Sequence, residues 1–167
     1  MLEAATKRGD VVMSFRIQGL EVAPFRALFG LDEKQLAARG VLRRVADREP
    51  GFPCRVSLRD AKPGEPVLLF NYEHQPLPTP YRSRHAIYVR EFAEEYRPEV
   101  DEVPEVLRSR LLSVRAFDAA GMMIDADVVS GDRVAPVIDR LFDAPGVAYL
   151  HLHNAKPGCY AARVVFA

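Results

Sequence analysis

The residues best suited to chemistry lie near the end of the chain, in an apolar segment that contains two closely spaced histidines. His151 and His153 are two of the four histidines in the 167-residue sequence, and both lie in a segment, 149–154, that is typical of a β-strand. Because successive side chains of a strand point to opposite faces, both imidazoles must share one face of the sheet. Imidazole moves protons near neutral pH and binds transition metals, so both residues are candidate catalytic groups and candidate metal ligands.

Two aspartates in an earlier segment are candidate partners of these histidines. Residues 122–153 read as strand, helix and strand, which is the pattern of a right-handed crossover. If the two strands are neighbours, Asp125 and Asp127 lie beside His151 and His153, and this mixture of oxygen and nitrogen ligands suits a divalent transition metal. The alternative is a solvated sheet face, on which Asp125 pairs with an arginine and the histidines contact water or a covering loop.

The role of Cys159 depends on the length of the loop that follows the second histidine. A thiol needs a nearby base or cation to act as a nucleophile, and His153 is a candidate base. A four-residue loop, 155–158, pairs Asn154 with Cys159 and turns the thiol away from both histidines. A three-residue loop pairs Asn154 with Gly158 and places Cys159 on the face of His153. The sequence leaves both registers open, and Cys159 is a candidate catalytic residue only in the second.

Another group of polar residues borders a proline-rich loop between residues 76 and 85. Arg82 and Arg84 could hold a carboxylate or phosphate through paired hydrogen bonds, with Glu73 or His74 as acid or base. The alternative is that the arginines pair with Glu73 or with a carbonyl and only fix the loop. The residues predicted to bind a small anionic ligand, at this loop or beside the last hairpin, are Arg55, Tyr72, Glu73, His74, Arg82, Arg84 and Asn154.

Composition and motifs disfavour several classes of function. Lysine plus arginine balances aspartate plus glutamate at 23 each, so the overall charge does not favour nucleic acid or an anionic membrane surface as a partner. No apolar stretch could span a bilayer, and the first residues lack the apolar core of a signal peptide. We therefore expect a cytoplasmic protein whose two cysteines are reduced. Glycine-rich phosphate loops, Gly-x-Ser-x-Gly and His-Glu-x-x-His are absent from the sequence, which disfavours nucleotide-dependent and serine-hydrolase chemistry.

The elements that must position these residues are short. Asp32 and Gln35 form the pattern of a helix capping box, and apolar residues at helical spacing predict a helix near 134–142. A hairpin is expected around residues 118–121, where three loop residues end in glycine. Further strands are predicted at 11–17, 41–46, 54–58, 67–72, 86–92, 147–153 and 160–166.

These elements predict the α+β fold class. We expect a single domain with a mainly antiparallel sheet and short helices packed on one face. Residues 13–167 would form this globular domain, and residues 1–12 a flexible N-terminal extension.

Four segments carry a recognisable pattern: FPCRVSL at 52–58, NYEHQ at 71–75, PYR at 80–82 with VRE at 89–91, and HLHNAKPGCY at 151–160. Together they resemble an uncharacterised bacterial family, the domain of unknown function 1203, from about Phe15 to Val164. The resemblance implies no known activity. In that family Gly-Pro often stands where this chain has His85-Ala86, which makes His85 a weaker site candidate.

Three functional hypotheses follow from the sequence. The leading one is a small domain that binds a small anionic molecule through the loop arginines and the polar sheet face. The second is an enzyme that uses a divalent metal held by Asp125, Asp127, His151 and His153. The third is a structural or interaction module without a ligand. Oligomeric state and reaction are left open.

Overall fold

The computed structural model describes residues 13–167, so the flexible extension predicted for residues 1–12 lies outside the described part. That part is one α+β domain with antiparallel strands and short helices, as predicted, although the strands form two sheets. The strands are β1 (Phe15–Gln18), β2 (Leu42–Val45), β3 (Pro66–Gln75), β4 (Ser83–Arg90), β5 (Leu111–Phe117), β6 (Met123–Ser130), β7 (Tyr149–Asn154) and β8 (Tyr160–Phe166). The helices are α1 (Glu33–Ala37), α2 (Glu105–Arg108) and α3 (Val134–Phe142), with 3-10 turns at Ala23–Leu28 and Gly131–Arg133. None of the helices in residues 13–167 is long and apolar enough to cross a membrane.

The larger sheet has five strands in the order β1-β8-β7-β5-β6, and every neighbouring pair is antiparallel. Alternate residues of its central strands, such as Val114 and Leu152, are fully buried in the main core with Ile138 and Leu141 of α3. Because a strand alternates its side chains, the residues between them, including His151 and His153, point to the opposite face. The packing of α3 on one face therefore fixes which side of the sheet carries the histidines.

The smaller sheet has the order β2-β3-β4 and its own core. Leu68 and Ile87 are fully buried there, and α1 contributes Leu36. The capping box of α1 is present as predicted, since Asp32 and Gln35 exchange side-chain and backbone hydrogen bonds. At ten residues β3 is the longest of the eight strands, and the ring of His74 near its end packs against His153 of the larger sheet.

A bulge in β6 overturns the predicted position of the two aspartates. Phe117 pairs with Met123 but its neighbour Ala116 pairs with Asp125, so β6 contains one extra residue at this point. An inserted residue turns all later side chains to the other face of the sheet. Asp125 and Asp127 consequently form ion pairs with Arg140 of α3 and do not share a face with the histidines. The condition that the two strands are neighbours is not met either, because β5 lies between β6 and β7.

The strand predicted at residues 54–58 is wrong as well. The segment forms turns with two isolated bridges, one between Cys54 and Tyr88 and one between Pro53 and Asp60. Cys54 is buried, and Arg55 beside it is only 2% exposed.

Candidate metal centre

Three of the four histidines meet between the two sheets. His74 of β3 joins His151 and His153 of β7, and one ring nitrogen from each lies within 4.8 Å of the others. The centre of the His74 ring lies 4.9 Å from the centre of the His153 ring and 5.9 Å from that of the His151 ring. The cluster therefore combines residues that are almost eighty positions apart in the sequence.

Two features of β3 bring His74 to this position. His74 is the extra residue of a bulge, because Glu73 pairs with Arg84 while Gln75 pairs with Ser83, the next residue along β4. Bulges re-aim side chains and are common beside functional sites. Directly after the bulge, the buried Gln75 Nε2 donates a hydrogen bond of 2.7 Å to the Tyr149 hydroxyl. This bond ties the end of β3 to the start of β7.

The β7–β8 hairpin supports the cluster from the other side. His153 pairs with Tyr160, which places both rings on one face. The Tyr160 ring stacks on His74, with 5.2 Å between the ring centres and an angle of 7° between the planes.

The loop of this hairpin has the four-residue register, because Asn154 forms backbone hydrogen bonds with Gly158 and Cys159. Cys159 therefore points away from the histidines, and His153 does not activate it.

The hairpin also fixes which nitrogen of His153 carries its proton. His153 Nδ1 lies 2.9 Å from the carbonyl oxygen of Gly158. A carbonyl can only accept, so Nδ1 must donate, and in a neutral ring the free lone pair is then on Nε2. Metal-binding histidines commonly have this arrangement, with the second ring nitrogen donating to a backbone carbonyl.

One buried nitrogen on each ring has no hydrogen-bond partner within residues 13–167. These atoms are Nδ1 of His74, Nδ1 of His151 and Nε2 of His153. A buried polar atom without a partner costs about 1–3 kcal/mol, and native proteins contain few of them. Three such atoms on adjoining rings point to a group that the three imidazoles would bind together.

Burial keeps all three imidazoles neutral. Burial, together with a smaller effect of neighbouring positive groups such as Arg115, lowers the pKa of His74 to about 4 and the pKa of His151 and His153 to about 3. At neutral pH the rings are therefore in the unprotonated form that metal binding requires.

Arginines flank the cluster across the sheet. In register, His151 lies between Arg115 of β5 and Arg163 of β8 on the same face. The Arg163 guanidinium lies 4.3 Å from the centre of the Tyr149 ring. Neither arginine has a carboxylate within ion-pair distance among the described residues. The surroundings of the cluster are therefore cationic, which favours an anion beside it.

The spacing of the rings fits a transition metal after small movements. A tetrahedral zinc ion holds its nitrogen ligands about 3.3 Å apart. The cluster reaches that separation if the side chains move by about 1 Å toward a common centre. Three imidazoles with no carboxylate suit zinc, copper, iron or nickel better than magnesium or calcium.

The residues predicted around the proline-rich loop do not join this cluster, apart from His74. Arg82 Nε donates to Glu73 Oε1 over 2.6 Å, and Arg84 Nε donates to Asn71 over 2.6 Å. Both arginines are largely exposed on the β3–β4 hairpin, so the alternative that they fix the loop describes these contacts. Tyr72 packs against Phe25 of the smaller core.

The remaining candidates lie elsewhere. Asp125 and Asp127 form ion pairs with Arg140. Arg55, Asn154 and Cys159 form a separate group.

The sequence did not predict that His74 lies beside His151 and His153. The available signal was that His74 follows closely on the strand predicted at 67–72, but the contact between the two sheets is not visible in periodicity.

The fold and the cluster together define an α+β domain with a three-histidine centre between two antiparallel sheets. Residues 51–165 match the model of a protein family described as "Protein of unknown function (DUF1203)", and the chain belongs to this family, as the resemblance predicted. No curated protein and no solved structure is significantly similar to the chain. The matched range contains all three histidines, so the centre lies within the domain that defines the family.

Proposed function

We propose that the chain is a metal-binding protein in which His74, His151 and His153 hold one divalent transition metal. Zinc is the metal that we propose first. The observation that carries this proposal is that ring nitrogens of three histidines lie within 4.8 Å of one another, and that each ring has a buried nitrogen without a partner in residues 13–167. The neutral state of the rings and the hydrogen bond that orients His153 also support it. The ligand set differs from the one predicted from sequence, with His74 in place of the two aspartates.

Three protein ligands leave a coordination position for water or substrate. Zinc sites of this type are catalytic more often than structural, and the metal lowers the pKa of a bound water to about 7. The flanking Arg115 and Arg163 would attract an anionic substrate to that position. The reaction class that fits is Lewis-acid chemistry, such as hydrolysis or hydration, on a small anionic molecule.

Metal analysis of protein purified without an affinity tag tests the proposal. We expect one zinc ion per chain and an increase in the melting temperature when zinc, but not magnesium, is added to the chelated protein. His151→Ala and His153→Ala should weaken zinc binding by about 100-fold. His85→Ala is the matched control, because His85 is the one histidine outside the cluster and is only half-buried.

The proposal predicts a difference between these variants that aromatic packing alone would not produce. If wild type, His153→Ala and His85→Ala contain the same amount of metal and respond equally to zinc, the three histidines do not form a metal centre. The cluster would then be only a packed contact between the sheets.

A further inference from the structure

A cavity of about 710 Å³ lies beside β7, and its lining is rich in basic side chains. Asn154 follows His153 and therefore points to the opposite face, where it lines this cavity. The volume is within the range of small-molecule sites. The charged side chains of the lining are Arg48, Arg55, Arg110 and Lys156, and none of its residues is acidic.

Arg55 is a buried cation at the wall of the cavity. Its guanidinium donates to the carbonyl oxygens of Tyr160 (2.7 Å) and Pro53 (2.6 Å) and to Cys159 Sγ (3.0 Å). No carboxylate within residues 13–167 forms an ion pair with it. A buried charge without a counterion is costly, and this cost is reduced when an anion binds beside it.

The other basic residues differ in how well they are neutralised. Arg110 donates to both carboxylate oxygens of Asp60, at 2.9 and 2.7 Å, so its charge is balanced. Arg48 contacts Asp47, but both side chains are more than 60% exposed, where ion pairs are weak. Lys156 lies on the exposed hairpin loop. The positive charge available to a ligand therefore comes from Arg55, Lys156 and Arg48.

Asn154 supplies a second and independent sign of a ligand. It is 5% exposed, and its Oδ1 has no partner among the residues that the structure describes. Its Nδ2 lies 3.6 Å from Cys159 Sγ. A buried amide with an unused acceptor matches a hydroxyl or amine donor on a bound molecule.

We propose that this cavity binds a small molecule with a carboxylate or phosphate group, held near Arg55 and Lys156, and a hydroxyl or amine directed toward Asn154. The site is separate from the metal centre, because Asn154, its residue on β7, points to the face opposite the histidines and none of the three clustered histidines lines the cavity. It places two of the residues predicted from sequence to bind a small anion, Arg55 and Asn154, in one cavity. The proline-rich loop and its arginines are not part of it.

The test is a titration of isotopically labelled protein followed by NMR at the Arg55 Nε–H and Asn154 side-chain amide signals. Inorganic phosphate, malonate and the neutral malonamide are added separately, so that phosphate and carboxylate recognition are distinguished. We expect saturating shifts at both signals with at least one anion and no shift with malonamide. The Arg48→Ala/Lys156→Ala variant changes only exposed residues and should weaken anion binding by about tenfold. Arg82→Ala, an exposed arginine outside the cavity, should bind as wild type does.

Two results would overturn the proposal. One is the absence of saturating shifts at Arg55 and Asn154 with both anions. The other is equal affinity of the double variant, Arg82→Ala and wild type, which would show only unspecific binding to surface arginines. Titrations of untreated protein and of protein from which metal and chelator have both been removed by dialysis should agree, so failure of the metal centre would not affect this result.

Discussion

At the scale of single residues, the proposed metal centre depends on the position of one proton. His153 Nδ1 lies 2.9 Å from the Gly158 carbonyl oxygen, so Nδ1 must carry the proton and Nε2 of the neutral ring carries none. Nε2 is also the atom that is buried without a partner in the described structure. In the opposite tautomer the lone pair of Nδ1 would face the carbonyl oxygen 2.9 Å away. Nε2 would then carry the proton and could not bind a metal.

Nitrogen NMR of the metal-free protein at neutral pH tests this assignment. We expect His153 to be a single Nδ1–H tautomer, because burial disfavours the charged ring and the carbonyl selects the proton position. Zinc should then shift the Nε2 resonance most, since that atom becomes the ligand. An equal mixture of tautomers, or a proton mainly on Nε2, would contradict the assignment.

At the scale of elements, the end of β3 determines whether the three rings meet. The bulge at His74 directs its ring to β7, and the hydrogen bond from Gln75 to Tyr149 holds the two strands together. Both partners of this bond are buried. Gln75 is therefore a positioning residue, which acts on the centre only through His74.

Gln75→Leu and Tyr149→Phe remove this bond from opposite ends. Each leaves a buried polar group unpaired and should lower the free energy of unfolding by about 1–3 kcal/mol. Because His74 is then less well held, zinc affinity should fall by about tenfold in both variants. Zinc titration by calorimetry measures the affinity. Tyr88→Phe is the control, because Tyr88 packs on Phe52 and its hydroxyl forms no hydrogen bond within residues 13–167. Unchanged affinity in both variants would mean that the bond has no role in positioning His74.

Bulges also explain why the sequence predicts the strands better than the faces they expose. Alternation of apolar residues located β5, β6, β7 and β8 and put His151 and His153 on one face. A single inserted residue is invisible to this pattern, yet in β6 it turned Asp125 and Asp127 toward Arg140. For the last hairpin the sequence left two registers open, and the backbone hydrogen bonds of Asn154 select the four-residue loop.

At the scale of the whole molecule, the centre is a contact between two sheets that are far apart in the sequence. Periodicity describes each strand separately and contains no information about which sheet packs on which, so it could not bring His74 to β7. The cost of three unpartnered buried nitrogens, about 1–3 kcal/mol each, is large against a typical stability of about 5–15 kcal/mol. A metal held by both sheets would remove this cost and stabilise the folded state through binding.

X-ray absorption spectroscopy of the zinc-loaded protein tests the central claim most directly, because it counts the ligands of the metal. We predict three imidazole nitrogens at about 2.0–2.1 Å and one further ligand, an oxygen atom of water or substrate. His74→Ala should lose one imidazole, and His85→Ala should leave the spectrum unchanged. A metal surrounded mainly by oxygen ligands, or a spectrum that is the same in wild type and His74→Ala, would contradict a metal centre shared by the two sheets.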